Sequence, residues 1–143
     1  MNKQQKTITR LLEIKRKTCD AVEAAHAKAH NEAVAAEQER VRADTAWLTA
    51  LDRNETIGTV ADLEARDQHV RGLRRKVDEA ERVFYLARMK ETHAREVMTD
   101  ARIELRRFET WLEKTQAEQQ EEARRVERIA EDENASRKRM SAG

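Results

Sequence analysis

The fold is decided by residues 70–130, which read VRGLRRKVDEAERVFYLARMKETHAREVMTDARIELRRFETWLEKTQAEQQEEARRVERIA. Taking every seventh residue from Val70 to Val126 gives seven apolar positions of nine, and the row that starts at Leu73 gives the same fraction. Rows spaced alternately by three and four residues place one apolar stripe along an α-helix, and that stripe packs against a second helix. The stretch therefore predicts a long helix in a left-handed coiled coil.

The first half of the chain repeats this spacing with smaller side chains. One row consists of Leu12, Cys19, His26, Ala33, Arg40 and Trp47, and the other of Lys15, Val22, Ala29, Ala36, Ala43 and Ala50. Alanine raises helix propensity but removes little apolar area from water. We therefore expect a first helix that depends on the second helix for its stability.

The composition restricts the alternatives. The chain has 143 residues, of which 40% are charged and 3% aromatic, with three glycines and no proline. Such a sequence favours long helices over a thick globular core. One cysteine excludes an intramolecular disulfide, and neither a signal peptide nor a membrane-spanning stretch is recognisable. We expect a soluble protein in a reducing, cytoplasmic compartment, with no direct membrane insertion.

Turn-forming residues cluster at residues 52–59. Gly58 suits the left-handed conformation of a helix end, and Thr59 to Asp62 reads as a capping box that opens the second helix. The prediction is an all-α, single-domain, antiparallel coiled-coil hairpin over residues 1–143. Its parts are helix 1 at about 5–52, the tip at 53–59, helix 2 at about 60–130 and a polar tail at 131–143. Folding about this tip pairs residues whose numbers sum to about 112, which sets Cys19 near His93, Leu12 near Asp100, and an overhang beyond about residue 112.

Histidines 26 and 30 lie one helical turn apart, a spacing that helical metal sites use. The glutamate that follows the first histidine in zinc proteases is missing, and Lys28 lies between the two rings. A seam-facing His26 and an exposed His30 explain the pair better than a metal does. We expect no metal and no cofactor.

Catalytic chemistry finds no support in the residues. Cys19 falls in a seam row, where cysteine is usually a small buried apolar side chain, and no third group orients His93 as its base. The sequence contains neither a glycine-rich phosphate loop nor a nucleophile elbow. We expect the chain not to be an enzyme.

The two tryptophans and the basic residues point to interaction surfaces. Trp47 and Trp111 each either cap the local core or anchor a partner, since tryptophan is common at binding hot spots. Lysine and arginine number 29 against 28 acidic residues, and the two signs are interleaved. Without a single-sign stripe or stacking aromatics, we expect no nucleic-acid binding.

The run WLEKTQAEQQEEARR at residues 111–125, with a basic N-terminus and a longer C-terminal helix, resembles the FliJ/YscO/HrpO group. Members of this group are central-stalk proteins of flagellar and virulence type III secretion. The resemblance implies a hairpin whose termini enter a hexameric secretion ATPase and whose tip faces an export-gate membrane protein, with export chaperones as further candidate partners. It implies a cytoplasmic location at the inner-membrane secretion apparatus.

Hairpin geometry together with this resemblance assigns two sets of candidate partner-binding residues. At the ATPase end they are Lys6, Arg10, Lys15, Arg16, Lys17, Trp111, Arg124, Arg125 and Arg128. At the hairpin tip they are Trp47, Asp52, Arg53, Asn54 and Glu55. The competing hypothesis is a general coiled-coil scaffold or chaperone-like adaptor with no link to an ATPase.

Overall fold

A computed structural model describes residues 3–53 and 58–142 of the chain, which form two long helices and the residues next to their facing ends. Helix α1 runs over Lys3–Leu51 and helix α2 over Val60–Ala142. The helices pack against each other in opposite directions, so the chain is an all-α helical hairpin, as the apolar rows predict. Packing divides it into two compact units. One combines Met1–Arg16 with Arg102–Gly143, and the other is Lys17–Ala101.

The predicted seam is confirmed by burial. In α1, all twelve positions of the two rows between Leu12 and Ala50 are buried or half-buried. In α2, both rows are buried or half-buried from Val70 to Thr115. The most enclosed side chain is Val77, with no exposed surface, and Cys19, Ala33 and Met98 are also buried. Closely approaching small side chains therefore form a thin core that follows the seam.

The predicted pairing of the helices is wrong by about ten residues. Within the Lys17–Ala101 unit, His30 contacts Glu91 and Trp47 lies beside Arg74, so that the paired residue numbers sum to 121. In the other unit, Leu12 shares a groove with Leu112 instead of lying near Asp100. In the register of the Lys17–Ala101 unit, the α1 residue at the level of His93 is Lys28 and not Cys19, so the predicted pairing of Cys19 with His93 is wrong.

The cause of this shift lies at the hairpin tip. The Arg66 guanidinium donates a hydrogen bond of 2.9 Å to the Arg53 carbonyl oxygen, so the residues just after α1 lie against the second turn of α2. Residues 60–65 are exposed, and Val60 reaches 72%. The first two to three turns of α2 therefore extend past the end of α1 and have no α1 residues beside them. The predicted pairing, in contrast, is symmetric about the tip.

Thr59 starts α2 as the sequence predicts. Its Oγ1 accepts a hydrogen bond of 3.1 Å from the Asp62 backbone N–H, which is the bond of an N-cap residue. The predicted left-handed conformation of Gly58 is wrong, since no described glycine has a positive φ. Because α1 already ends at Leu51, Gly58 leads into the cap of α2 and does not close α1.

Helix α2 also continues further than predicted. It reaches Ala142, so the segment assigned as a polar tail at 131–143 is helical up to that residue. Residues 131–142 contain no glycine and no proline, and nothing in them breaks the helix. Thr115 is the last half-buried residue of α2, and every residue from 116 to 142 is exposed. We call residues 116–142 the overhang, which begins slightly later than predicted.

Candidate functional site

The most unusual feature of the Lys17–Ala101 unit is a carboxylate in the apolar seam. Glu91 occupies the same row as Val77 and Met98, and it is only 6% exposed. A buried carboxylate is costly unless charged or hydrogen-bonding groups surround it. Glu91 has two such partners, one from each helix.

His30 of α1 and Arg95 of α2 both bind Glu91 Oε1. His30 Nδ1 lies 3.0 Å from this oxygen, and the Arg95 guanidinium donates to the same oxygen at 3.0 Å. The hydrogen bond from His30 lowers the pKa of Glu91, with further lowering from the charges of His30, Arg95 and Arg88 against the opposing effect of burial. Glu91 is therefore held as a carboxylate that ties the two helices together.

His26 lies one turn before His30, and their ring centroids are 6.4 Å apart. Its Nε2 is buried and finds no hydrogen-bond partner in the part of the chain that the structure describes. Across residues 3–53 and 58–142, no group of three or more His, Cys, Asp or Glu side chains is arranged to hold a metal ion. The histidine pair and Glu91 form a polar layer of the seam, which we call the Glu91 layer.

Cations and an aromatic ring surround this layer on one side. The guanidinium groups of Arg40 and Arg88 lie 5.4 Å and 5.9 Å from the centroid of the Phe84 ring. Arg40 also donates to Glu37 at 2.7 Å, and this hydrogen bond lowers the pKa of the Glu37 carboxyl. Arg40 and Glu37 thus form an ion pair beside the Glu91 layer.

The residues predicted for the ATPase end are only partly brought together. In the unit formed by Met1–Arg16 and Arg102–Gly143, Lys15 Nζ lies 5.6 Å from the Phe108 ring, and that ring lies 5.7 Å from Trp111. Trp111 remains 52% exposed. Lys6, Arg10 and Arg16 are exposed on α1. Lys17 belongs to the other unit.

The three predicted arginines at 124, 125 and 128 lie on the overhang. The last α2 residues that share a groove with α1 are Thr115, Gln116 and Gln119, opposite Gln4, Gln5 and Ile8. The arginines therefore lie beyond the lysines of α1 and form a separate surface. Arg125 donates to Glu122 at 2.8 Å, and Arg128 donates to Glu121 at 3.2 Å.

The hairpin tip holds part of its predicted set. Trp47 is half-buried in the seam with the Arg74 guanidinium 4.7 Å from its ring centroid, which favours the core-capping alternative for this tryptophan. Asp52 and Arg53 are exposed. Asn54 and Glu55 lie outside the described residues.

Sequence reasoning missed the Glu91 layer. The signal was available, because Glu91 is the one charged residue in its row between Val70 and Leu112 and His30 stands on the facing helix. The predicted register, however, placed Glu91 about ten residues away from His30.

Comparisons with protein-family models, curated proteins and solved structures give no match. Within the described ranges, neither helix has a segment that is long and apolar enough to cross a membrane.

Proposed function

We propose that this chain is a non-enzymatic central stalk of a type III secretion export ATPase. In this role it binds the hexameric ATPase through the basic start of α1 and the overhang, and it presents the hairpin tip to an export-gate membrane protein. It acts in the cytoplasm at the inner-membrane secretion apparatus, where export chaperones are further partners. Coupling the ATPase to the gate promotes protein secretion.

The observation that carries this proposal is the exposed overhang. Helix α2 spans 83 residues, and its last part presents every side chain from 116 to 142 to solvent. A single helix in water gains little from its own hydrogen bonds, and most helical stability in proteins comes from packing. A helix of this kind is well suited to packing against a partner protein.

The resemblance of residues 111–125 to the FliJ/YscO/HrpO group supplies the identity of that partner. A stalk of this class affects the catalytic cycle of the ATPase only if it binds some conformations of the ATPase more tightly than others. A ligand with equal affinity for two conformations does not change their populations. Charged side chains on the overhang, among them Arg124 and Arg125, are candidates for contacts that change as the ATPase ring passes through its cycle.

A general scaffold or chaperone-like adaptor is the second candidate. It is favoured by a row of apolar side chains outside the seam of α1, namely Val34, Val41 and Leu48, which are 42%, 49% and 50% exposed. Such a row suits a third helix that packs along the Lys17–Ala101 unit. An adaptor would use this surface without any effect on an ATPase.

The deciding experiment measures ATP hydrolysis by the hexameric secretion ATPase of the same organism with and without the chain. We expect stimulation that is lost in an R124A/R125A variant. An R71A/R75A variant is the matched control, because it removes two exposed arginines from α2 within the Lys17–Ala101 unit. No binding and no stimulation by the wild-type chain would reject the stalk and leave the adaptor.

A further inference from the structure

The residues that flank the seam fall on two sides of the hairpin. In the Lys17–Ala101 unit, six flanking residues line one groove, and each of them directly precedes a seam residue. They come from both helices and are Glu39, Arg42 and Ala46 of α1 and Lys76, Glu79 and Val83 of α2. Residues that directly follow a seam residue, such as His30, Val34 and Tyr85, line a different groove. The side on which a flanking residue lies can therefore be counted from the sequence.

The unit that contains both chain termini has large apolar side chains on the first of these sides. Leu11, Ile14 and Trp111 are 44%, 52% and 52% exposed, and each of them directly precedes a seam residue. Because Leu12 and Leu112 share a groove, Leu11 and Trp111 lie at the same level of the hairpin. Ile14 follows Leu11 by one helical turn. The three exposed apolar side chains therefore lie together on one side.

Cations stand beside these apolar side chains. Arg107 and Lys114 lie one helical turn before and after Trp111, and both precede seam residues. Arg10 lies one turn before Ile14. All three cations are exposed, and within the described part of the chain none of them has an ion-pair partner. Two exposed arginines of the overhang, in contrast, pair with glutamates. We define the basic–apolar face as Arg10, Leu11, Ile14, Arg107, Trp111 and Lys114.

Most acidic residues of this part of the hairpin lie on the other side. Glu13, which is in α1, and Glu109 and Glu113, which are in α2, each directly follow a seam residue. Glu104 is the one glutamate of residues 102–115 that precedes a seam residue. The basic–apolar face therefore has little negative charge of its own, and its charge is complementary to an anionic partner.

We propose that the basic–apolar face binds the headgroup layer of an anionic lipid membrane, with both helices lying along the surface and not crossing it. Residues 3–16 and 102–115 together carry nine lysines and arginines and four glutamates, which gives a net charge of +5. Clusters of about four to eight Lys and Arg side chains on a helix attract anionic lipids. Tryptophan and aliphatic side chains on the same face enter the boundary between headgroups and acyl chains.

The mixture of side chains favours lipid over other anions. The phosphates of a nucleic acid would attract the cations, but Leu11 and Ile14 would meet no apolar surface there. A lipid headgroup layer offers negative charge and apolar surface together, and it adapts to side chains that stand out from a convex helix pair. An acidic peptide is the alternative occupant that the experiment separates from lipid.

This inference goes beyond the stalk assignment and does not rest on it. It concerns the free chain, because an ATPase bound at the start of α1 would cover the same face. The two proposals therefore fail separately. A chain that binds anionic vesicles without stimulating the ATPase would reject the stalk alone, and a chain that stimulates the ATPase without binding vesicles would reject lipid binding alone.

Co-sedimentation of the full-length chain with vesicles tests the proposal. At about 0.15 M salt, charges more than about 8 Å from the membrane are largely screened. We expect binding to phosphatidylcholine vesicles that contain phosphatidylglycerol, and none to phosphatidylcholine alone. R107E/K114E reverses two charges of the face and should weaken binding at least about tenfold. K6E/R106E is the matched control, because it changes the net charge equally on the other side, and it should weaken binding less than about threefold.

Tryptophan fluorescence adds a second measurement. A W47F variant leaves Trp111 as the single tryptophan, and its emission should shift to shorter wavelength with anionic vesicles, since the ring leaves water. Circular dichroism checks that each variant remains helical. The proposal is overturned by a lack of binding to anionic vesicles, by equal weakening in the two double variants, or by unchanged emission of the bound chain. An equal shift with soluble poly-L-glutamate would overturn it in favour of an acidic peptide.

Discussion

The Lys17–Ala101 unit and the overhang follow the same heptad spacing but differ in what the spacing achieves. In the unit, a row of small and medium side chains meets a second helix and becomes a core, with Val77 fully enclosed. In the overhang, Val126 occupies an equivalent position and remains 56% exposed. The comparison teaches that a heptad pattern specifies a helix face, whereas the presence of a partner determines whether that face contributes to stability.

The largest expected effect on stability comes from replacing Val77 by alanine, and the same replacement at Val126 is the comparison. V77A should lower the free energy of unfolding by about 1–3 kcal/mol, because it leaves a cavity in a closed seam. V126A should change it by less than about 0.5 kcal/mol, as is usual for exposed positions. Urea unfolding followed by circular dichroism measures both changes. Equal effects would contradict the contrast between the two regions.

A smaller effect is expected from helix propensity. Gly72 lies inside α2, and a Cβ added there would meet nothing within 4 Å, so G72A should raise the free energy of unfolding by about 0.5–1 kcal/mol. A130G is its counterpart in the overhang. It should leave the main unfolding transition in place and instead speed amide hydrogen exchange locally, within residues 116–142. A shift of the main transition by A130G would show that the overhang unfolds together with the seam.

The smallest effect concerns pH and the Glu91 layer. Because the folded state lowers the pKa of Glu91 below its ordinary value of 4.5, the native chain binds fewer protons there than the unfolded chain does. This contribution to stability is present above pH 4.5 and is lost as the pH falls through the lowered pKa. Unfolding of the wild type and of E91Q should therefore differ in slope below pH 4.5. The comparison is needed because Glu37 and Glu79 also have lowered pKa values. Parallel slopes would contradict the prediction.

The sequence predicted the helix faces because burial follows a period that can be counted. It did not predict which residues face each other, since sliding one helix by seven residues restores the same alternation of rows. The contacts that distinguish registers are polar and individual, such as His30 with Glu91 and Arg66 with the Arg53 carbonyl oxygen.

The candidate partner surfaces could be predicted only as sets of residues. Trp47 and Trp111 were equivalent in the sequence, yet the first is half-buried beside Arg74 and the second is 52% exposed. The difference depends on which side chains the facing helix brings to each ring. The predicted end of α2 is also too early, because the apolar rows stop at Ile129 whereas the helix continues to Ala142.

The Glu91 layer has a consequence for how the hairpin finds its alignment. The residues one heptad before and after His30 are Glu23 and Glu37. If α1 slid by seven residues in either direction, the enclosed Glu91 carboxylate would face another carboxylate in place of an imidazole, with Arg95 left to offset both charges. The small side chains of the seam fit a shift of one heptad about as well as the observed register, but the Glu91 layer does not. A hairpin shifted by one heptad in either direction is therefore less stable than the observed one because of Glu91.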